Sequence, residues 1–232
     1  MDDSVADLTL GEERWEEARG KISAFRAGIF DFWQKNGRKE LPWRKTRDPW
    51  QILLAEVLLR KTTVRQVIVL YRGLSQLSVS QISHMSGSEL EGLLQPLGMY
   101  RVRAHQLRLI AESVALADPE MLRSREFLFS LPGIGKYIVN SVACFAFAEP
   151  KPALDTNMIR VIQRVFGIRS RRSRPREDEQ LWNVAESLVP QDRCREFNWG
   201  VLDFASAVCR ARKPICSDCP LRKICDFLQG GG

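Results

Sequence analysis

The chain has 232 residues, of which 44% are hydrophobic and 27% charged, with a net charge of +7 and a pI near 9.3. That length supports one large core or two smaller ones, and no apolar run approaches the roughly 18–20 residues that span a bilayer. The opening stretch, MDDSVADLTLGEERWEEARG, is acidic and lacks the basic start and apolar centre of a secretion signal, so a cytoplasmic, nucleoid-associated protein with no membrane partner is expected.

In chain order, residues 1–20 read as an acidic N-terminal extension. Apolar residues then recur at spacings of three and four, the period of helices, and strong β-hairpin signals are absent. Asp48-Pro49 sets a capping aspartate before a first-turn proline, ahead of WQILLAEVLL. Ser or Thr followed three residues on by Glu or Gln occurs at Thr63/Gln66, Ser78/Gln81 and Ser86/Glu89, each a capping-box pattern. Asp118-Pro119 repeats the aspartate–proline start. Leu131-Pro132-Gly133-Ile134-Gly135 cannot be helical throughout and reads as a tight turn between SREFLFS and KYIVNSVACFAF. Leu154-Asp155-Thr156-Asn157 opens a further helix, MIRVIQRVF, with Asp155 at the capping position.

The expected fold class is therefore all-α, about ten helices in two lobes. One lobe covers 49–154 and includes the hairpin; the other combines 21–48 with 155–232.

Basic residues cluster at Arg44 to Arg47, Arg60-Lys61, Arg101 to Arg103 and Arg169 to Arg176. Such clusters suit a polyanion, and each suits a solvated face equally well. Glu56 stands in the apolar stretch ILLAEVLL, where a carboxylate is costly unless it is used or paired, for instance with Arg60 at i+4. The hairpin exposes backbone N–H groups at a helix start, which suits a phosphate oxygen. Of six cysteines, Cys144 and Cys194 stand alone, while the others run Cys209-x6-Cys216-x2-Cys219-x5-Cys225. Structural zinc favours two close pairs far apart; four nearly even thiolates over residues 209–225 fit a 4Fe-4S cluster better. Arg210, Arg212, Lys213, Arg222 and Lys223 would offset its charge.

The succession of hairpin, helix, loop, aspartate and cysteine comb resembles the endonuclease III/MutY superfamily of helix-hairpin-helix (HhH-GPD) DNA glycosylases, from about Leu41 to Cys225. The resemblance implies that Asp155 stabilises positive charge on the sugar as the base departs, and that Glu56 protonates the base or organises water. It also implies that Leu131, Gly133, Gly135 and Lys136 present the hairpin to DNA, with room for a monovalent cation there. Lys61, with Arg60 beside it, and Met99 would fill the space left by a flipped nucleotide. For Met99 the alternative is a loop methionine folded into the core. Relatives that form a Schiff base carry a lysine two residues after the last hairpin glycine. Tyr137 stands there instead, and Lys136 is turned about 100° away from that direction. Water as nucleophile, with weak or no lyase activity, is the expectation. Tyr137 would line the pocket, or serve as a core tyrosine.

Glu40-Leu41-Pro42-Trp43-Arg44 and Arg60-Lys61-Thr62-Thr63 resemble the thymine-mismatch (Mig-type) group, and Gly98-Met99-Tyr100-Arg101-Val102-Arg103-Ala104 has a spacing similar to that group and to endonuclease III. The chain also stops seven residues after Cys225, without the second domain typical of MutY. The expected function is removal of thymine or uracil opposite guanine in double-stranded DNA by a monomer. The alternatives are adenine removal from A·G or A·8-oxoguanine, and a non-catalytic protein that binds DNA structure.

Overall fold

The computed structural model describes the backbone of residues 12–230 and the side chains of 19–230. Of the expected N-terminal extension, residues 1–11 lie outside the described residues, while 12–20 are the first turns of α1 (Glu12–Asn36). Helices follow as α2 (Pro42–Lys45), α3 (Pro49–Leu58), α4 (Val64–Leu74), α5 (Val79–His84), α6 (Gly87–Leu94), α7 (Tyr100–Leu116), α8 (Arg125–Ser130), α9 (Lys136–Phe147), α10 (Thr156–Phe166), α11 (Glu179–Leu188) and α12 (Cys194–Ala207). No strand occurs among the described residues, so the chain is all-helical. No helix among them is long and apolar enough to cross a membrane.

Local chemistry sets most of these starts. Asp48 accepts from the Trp50 and Gln51 amides ahead of α3, and all three capping boxes form, at α4, α5 and α6. Asp118-Pro119 yields less than its pattern suggests. Asp118 caps Glu120, but only a 3-10 segment, Pro119–Arg123, follows before Ser124 caps α8.

The chain divides into two compact units. The central unit holds 38–153 and 191–195; the terminal unit holds the N-terminal residues to 37, 154–190 and 196 onward. In the central unit α3 is apolar apart from Gln51 and Glu56 and packs along α9, which is why Ile52, Leu53, Leu54, Val57 and Leu58 are all buried. Helix α7 packs against α5 and α6. Residues 38–48, expected with the terminal lobe, belong here because Trp43 meets Tyr71 of α4 edge-to-face at 5.4 Å and Leu41 is buried. Residues 191–195 join them because Arg195 donates to the carbonyls of Phe145 (2.9 Å) and Ala146 (2.7 Å), closing the end of α9.

The terminal unit is built on α1 and α12. Gly200 permits their approach, since a Cβ there would lie 2.8 Å from Ile29 Cγ2. Phe25 stands edge-on to Phe166 (5.3 Å) and Phe197 (5.9 Å), and Phe32 to Phe204 (5.6 Å). Each such pair adds about 0.5–1.5 kcal/mol beyond its buried area. Arg26 closes the end of α11 through the Ser187 and Leu188 carbonyls. The tail after Val208 forms turns and a single 3-10 segment, fastened by buried Leu221 and by the Lys21–Asp226 ion pair.

Candidate functional site

In the central unit the hairpin joins α8 to α9. Leu131 and Ile134 are 2% and 6% exposed and anchor the turn, with the Ile134 amide donating to the Leu131 carbonyl at 3.2 Å. The Leu131 side chain is therefore in the core, where it serves as the apolar anchor of the turn. Gly133 has φ +71°, and a Cβ at this position would collide with the Gln106 amide. Gly135 is extended, and a Cβ there would meet nothing within 4 Å. No side chain caps α9, and Gly133, Gly135 and Lys136 are exposed. A helix start of this kind favours an anion. Tyr137 is half-buried on the first turn of α9.

Glu56 is 5% exposed, on α3 among buried Leu53, Ala55 and Val57. Beyond the end of α3, Lys61 takes the left-handed conformation (φ +51°), and so does Met99 (φ +48°), which is 61% exposed just before α7. Exposure of Met99 rules out the core reading of that side chain. Arg60 Nη1 donates to Gln106 Oε1 and to the Gly133 carbonyl, both at 3.2 Å, which ties the end of α3 to the hairpin.

Asp155 lies in the terminal unit and does cap α10: its Oδ1 accepts from the amides of Asn157 and Met158, both at 2.8 Å. Its Oδ2 accepts from Asn157 Nδ2 at 2.6 Å. Burial of the carboxyl pushes the Asp155 pKa above its ordinary value, against the pull of those hydrogen bonds and of the Arg176 guanidinium. Arg176 closes a loop in which Arg169, Arg171, Arg172 and Arg174 are also exposed.

Asn157 Oδ1 accepts from Arg160 Nη2 (3.0 Å), and Arg160 Nε donates to the Cys209 carbonyl (2.9 Å). One turn on, Arg164 donates to Cys209 Sγ (3.5 Å) and to the Arg210 (2.7 Å) and Ala211 (3.0 Å) carbonyls. Asp155 and the cysteine tail are thus gripped by opposite ends of α10. Cys209, Cys216, Cys219 and Cys225 line a common cavity with Arg164 and Phe204. Burial pushes the Cys219 thiol up to about 11, with the other three cysteines adding to the rise. No three His, Cys, Asp or Glu side chains among the described residues converge tightly enough to hold a single metal ion.

Arg160 and Gln106 are site neighbours that the sequence reading missed, and Asn157 entered it only as part of the α10 start. The bond of Asn157 was within reach, since an Asn two residues after a capping Asp is placed to bond its free oxygen. Arg160 and Gln106 bond to main-chain carbonyls and to side chains of partners that no local pattern announces.

The sequence matches the family described as HhH-GPD superfamily base excision DNA repair protein over residues 54–187. It is 47% identical over 211 residues to a thymine/uracil-DNA glycosylase of Pyrobaculum aerophilum, covering 88% of this chain and 92% of that one. A thymine-DNA glycosylase of Aeropyrum pernix is 41% identical, with 91% of this chain and 97% of that protein covered. The structure of a thermostable thymine-DNA glycosylase superposes with a TM-score of 0.83 at 35% identity, covering 91% of this chain and 98% of the other.

Proposed function

Since this chain belongs to the HhH-GPD superfamily of base excision DNA repair proteins, we propose that it is a monomeric DNA N-glycosylase that hydrolyses thymine or uracil mispaired with guanine from double-stranded DNA. The observation that carries the chemistry is Asp155, a desolvated carboxylate fixed by two backbone amides and Asn157. A fixed anion facing a sugar gains most as positive charge grows there, so it favours the transition state over bound substrate. Identities of 47% and 41% over 88% and 91% of this chain to proteins named thymine/uracil- and thymine-DNA glycosylase support the choice of base.

The uncapped start of α9, with Gly133, Gly135 and Lys136 around it, receives a backbone phosphate. Met99 and Lys61, with Arg60 behind, occupy the space vacated in the duplex. As the C1′–N1 bond breaks, its electron pair leaves with the pyrimidine, and Glu56 donates the proton that neutralises the departing base. Water then adds at C1′ of the cation stabilised by Asp155 and passes its proton to the Glu56 carboxylate, which restores the acid; Tyr137 lines the base pocket. No amine stands at position 137, so the product is an abasic site without efficient strand cleavage.

Four cysteine side chains around one cavity, with the Cys219 thiol raised by burial and by the other three, fit an iron–sulfur centre. Cys209, Cys216, Cys219 and Cys225 would hold a 4Fe-4S cluster, which supplies a rigid four-point crosslink of the tail. Iron analysis then gives about four irons per chain; zinc alone in freshly purified protein refutes the cluster.

The test of the activity is single-turnover excision from duplexes with T·G, U·G, A·G or A·8-oxoguanine. Release of thymine and uracil is expected. Release of adenine alone moves the protein to the adenine-removing branch, and tight mismatch binding with no release from any duplex leaves a DNA-structure-binding protein.

A further inference from the structure

We propose that Arg103 and Gln106, one turn apart on α7, are positioning residues that hold the two wedge loops in fixed register with the phosphate-binding hairpin. This rests on the wedge and hairpin roles given above for Lys61, Met99 and Gly133.

Three carbonyls carry the inference. Arg103 Nη2 donates to the Arg60 carbonyl (2.5 Å), and Arg103 Nε to the Gly98 carbonyl (3.0 Å). Gln106 Nε2 donates to the Pro132 carbonyl (2.7 Å), while its Oε1 receives Arg60 Nη1 (3.2 Å). Each gripped carbonyl belongs to the peptide plane immediately before one of the functional positions: Lys61, Met99 and Gly133. Those three residues share a second property, a left-handed backbone, at φ +51°, +48° and +71°. For Lys61 and Met99 that conformation is unfavourable by itself and persists only where the surroundings hold it. Fixing the preceding peptide plane is how a side chain can do so. Two adjacent side chains of one rigid helix therefore set the direction of both wedge side chains and of the hairpin turn.

Burial and the neighbouring Arg60 guanidinium hold the Arg103 pKa below its ordinary value. Arg103 and Gln106 are only half-buried, and both give their donors to carbonyls of exposed loops. Core packing alone does not require that pattern.

The test uses the full-length protein and the variants Arg103→Met, Gln106→Glu, Met99→Ala and Met99→Ala/Arg103→Met. Gln106→Glu keeps the shape and the acceptor but removes the donor to Pro132. Opening of the duplex is read by the fluorescence of 2-aminopurine beside a T·G mismatch, alongside single-turnover excision, affinity for fully paired duplex, and Tm. Expected are excision and fluorescence gain reduced about tenfold or more in Arg103→Met, and less in Gln106→Glu, with paired-duplex affinity within about threefold. The double variant should be no slower than the slower of its two single parents, because Arg103 acts through the loop that Met99 occupies. Parental fluorescence and excision in both single brace variants, or fully additive losses in the double variant, overturn the proposal. So does a Tm loss that by itself accounts for the lost activity in both. If Met99→Ala opens the duplex normally, the wedge reading falls and this inference with it; if Met99→Ala is impaired while Arg103→Met and Gln106→Glu are not, the brace alone falls.

Discussion

Helix α9 starts at Gly135, which offers no side chain to its first-turn amides, and its surroundings at Gly133 and Lys136 are exposed. Helix α10 starts at Asp155, whose carboxylate accepts two of its own first-turn amides and is desolvated in doing so. The same partial positive charge at a helix start is used in opposite ways. At α9 it is left for an anion from outside, at a cost in capping energy. At α10 it holds an anion belonging to the protein, at a cost in desolvation. Each of the two helix starts gives up some local stability for its own proposed role.

The contrast can be broken most sharply at α10. Asp155→Asn should retain the cap, since asparagine caps nearly as well, while losing about 10³-fold in single-turnover excision. Parental turnover would end the catalytic assignment of this carboxylate. At α9, Gly135→Asp installs the arrangement of α10. It should raise helix stability by a few tenths of a kcal/mol and weaken duplex binding about tenfold, or about 1.4 kcal/mol. Unchanged affinity, measured by fluorescence anisotropy, would mean that no phosphate sits there.

The pH dependence sharpens the comparison further. Excision needs Asp155 ionised, so its acid limb should rise about tenfold per pH unit to a midpoint above the ordinary aspartate value of 3.8. Folding raises this pKa, so the folded protein holds the proton more tightly than the unfolded chain does. The stability from Asp155 is fully present below its unfolded pKa and is lost as pH rises through the folded one. Melting of the parent and of Asp155→Asn across that window measures the loss directly; identical profiles would show a carboxyl that is not desolvated. Gly133→Ala forces alanine to φ +71° against Gln106 and should cost about 1–2 kcal/mol. A Tm equal to the parent would show that the turn is free to relax.

Legibility in the sequence followed the range of the interaction. Capping boxes, the aspartate–proline start of α3 and the Asp155 cap are local, encoded by residues two or three apart, and they formed as read. Asp118-Pro119 shows the limit of that signal, because a cap cannot extend a helix that lacks a face to bury. The assignment of residues 38–48 needed the Trp43–Tyr71 contact, which pairs positions 28 residues apart. Left-handed Lys61 and Met99 have no signature at all, since nothing in a lysine or methionine announces a positive φ. The Arg103–Gln106 brace was hidden for a related reason: its partners are main-chain oxygens. Leu131 was read as part of a motif, whereas in the turn its side chain is the anchor rather than the surface.

The Lys21–Asp226 ion pair joins residues 205 positions apart, and α1 packs its aromatic face on Phe197, Trp199 and Phe204. A ribosome delivers the central unit almost without interruption, from 38 to 153, so that region has its partners early. Helix α1 emerges earlier and waits for partners synthesised after residue 153. Asp155 belongs to the unit completed last, so a nascent chain can assemble its proposed grip on DNA before it acquires the surroundings of its proposed catalytic carboxylate.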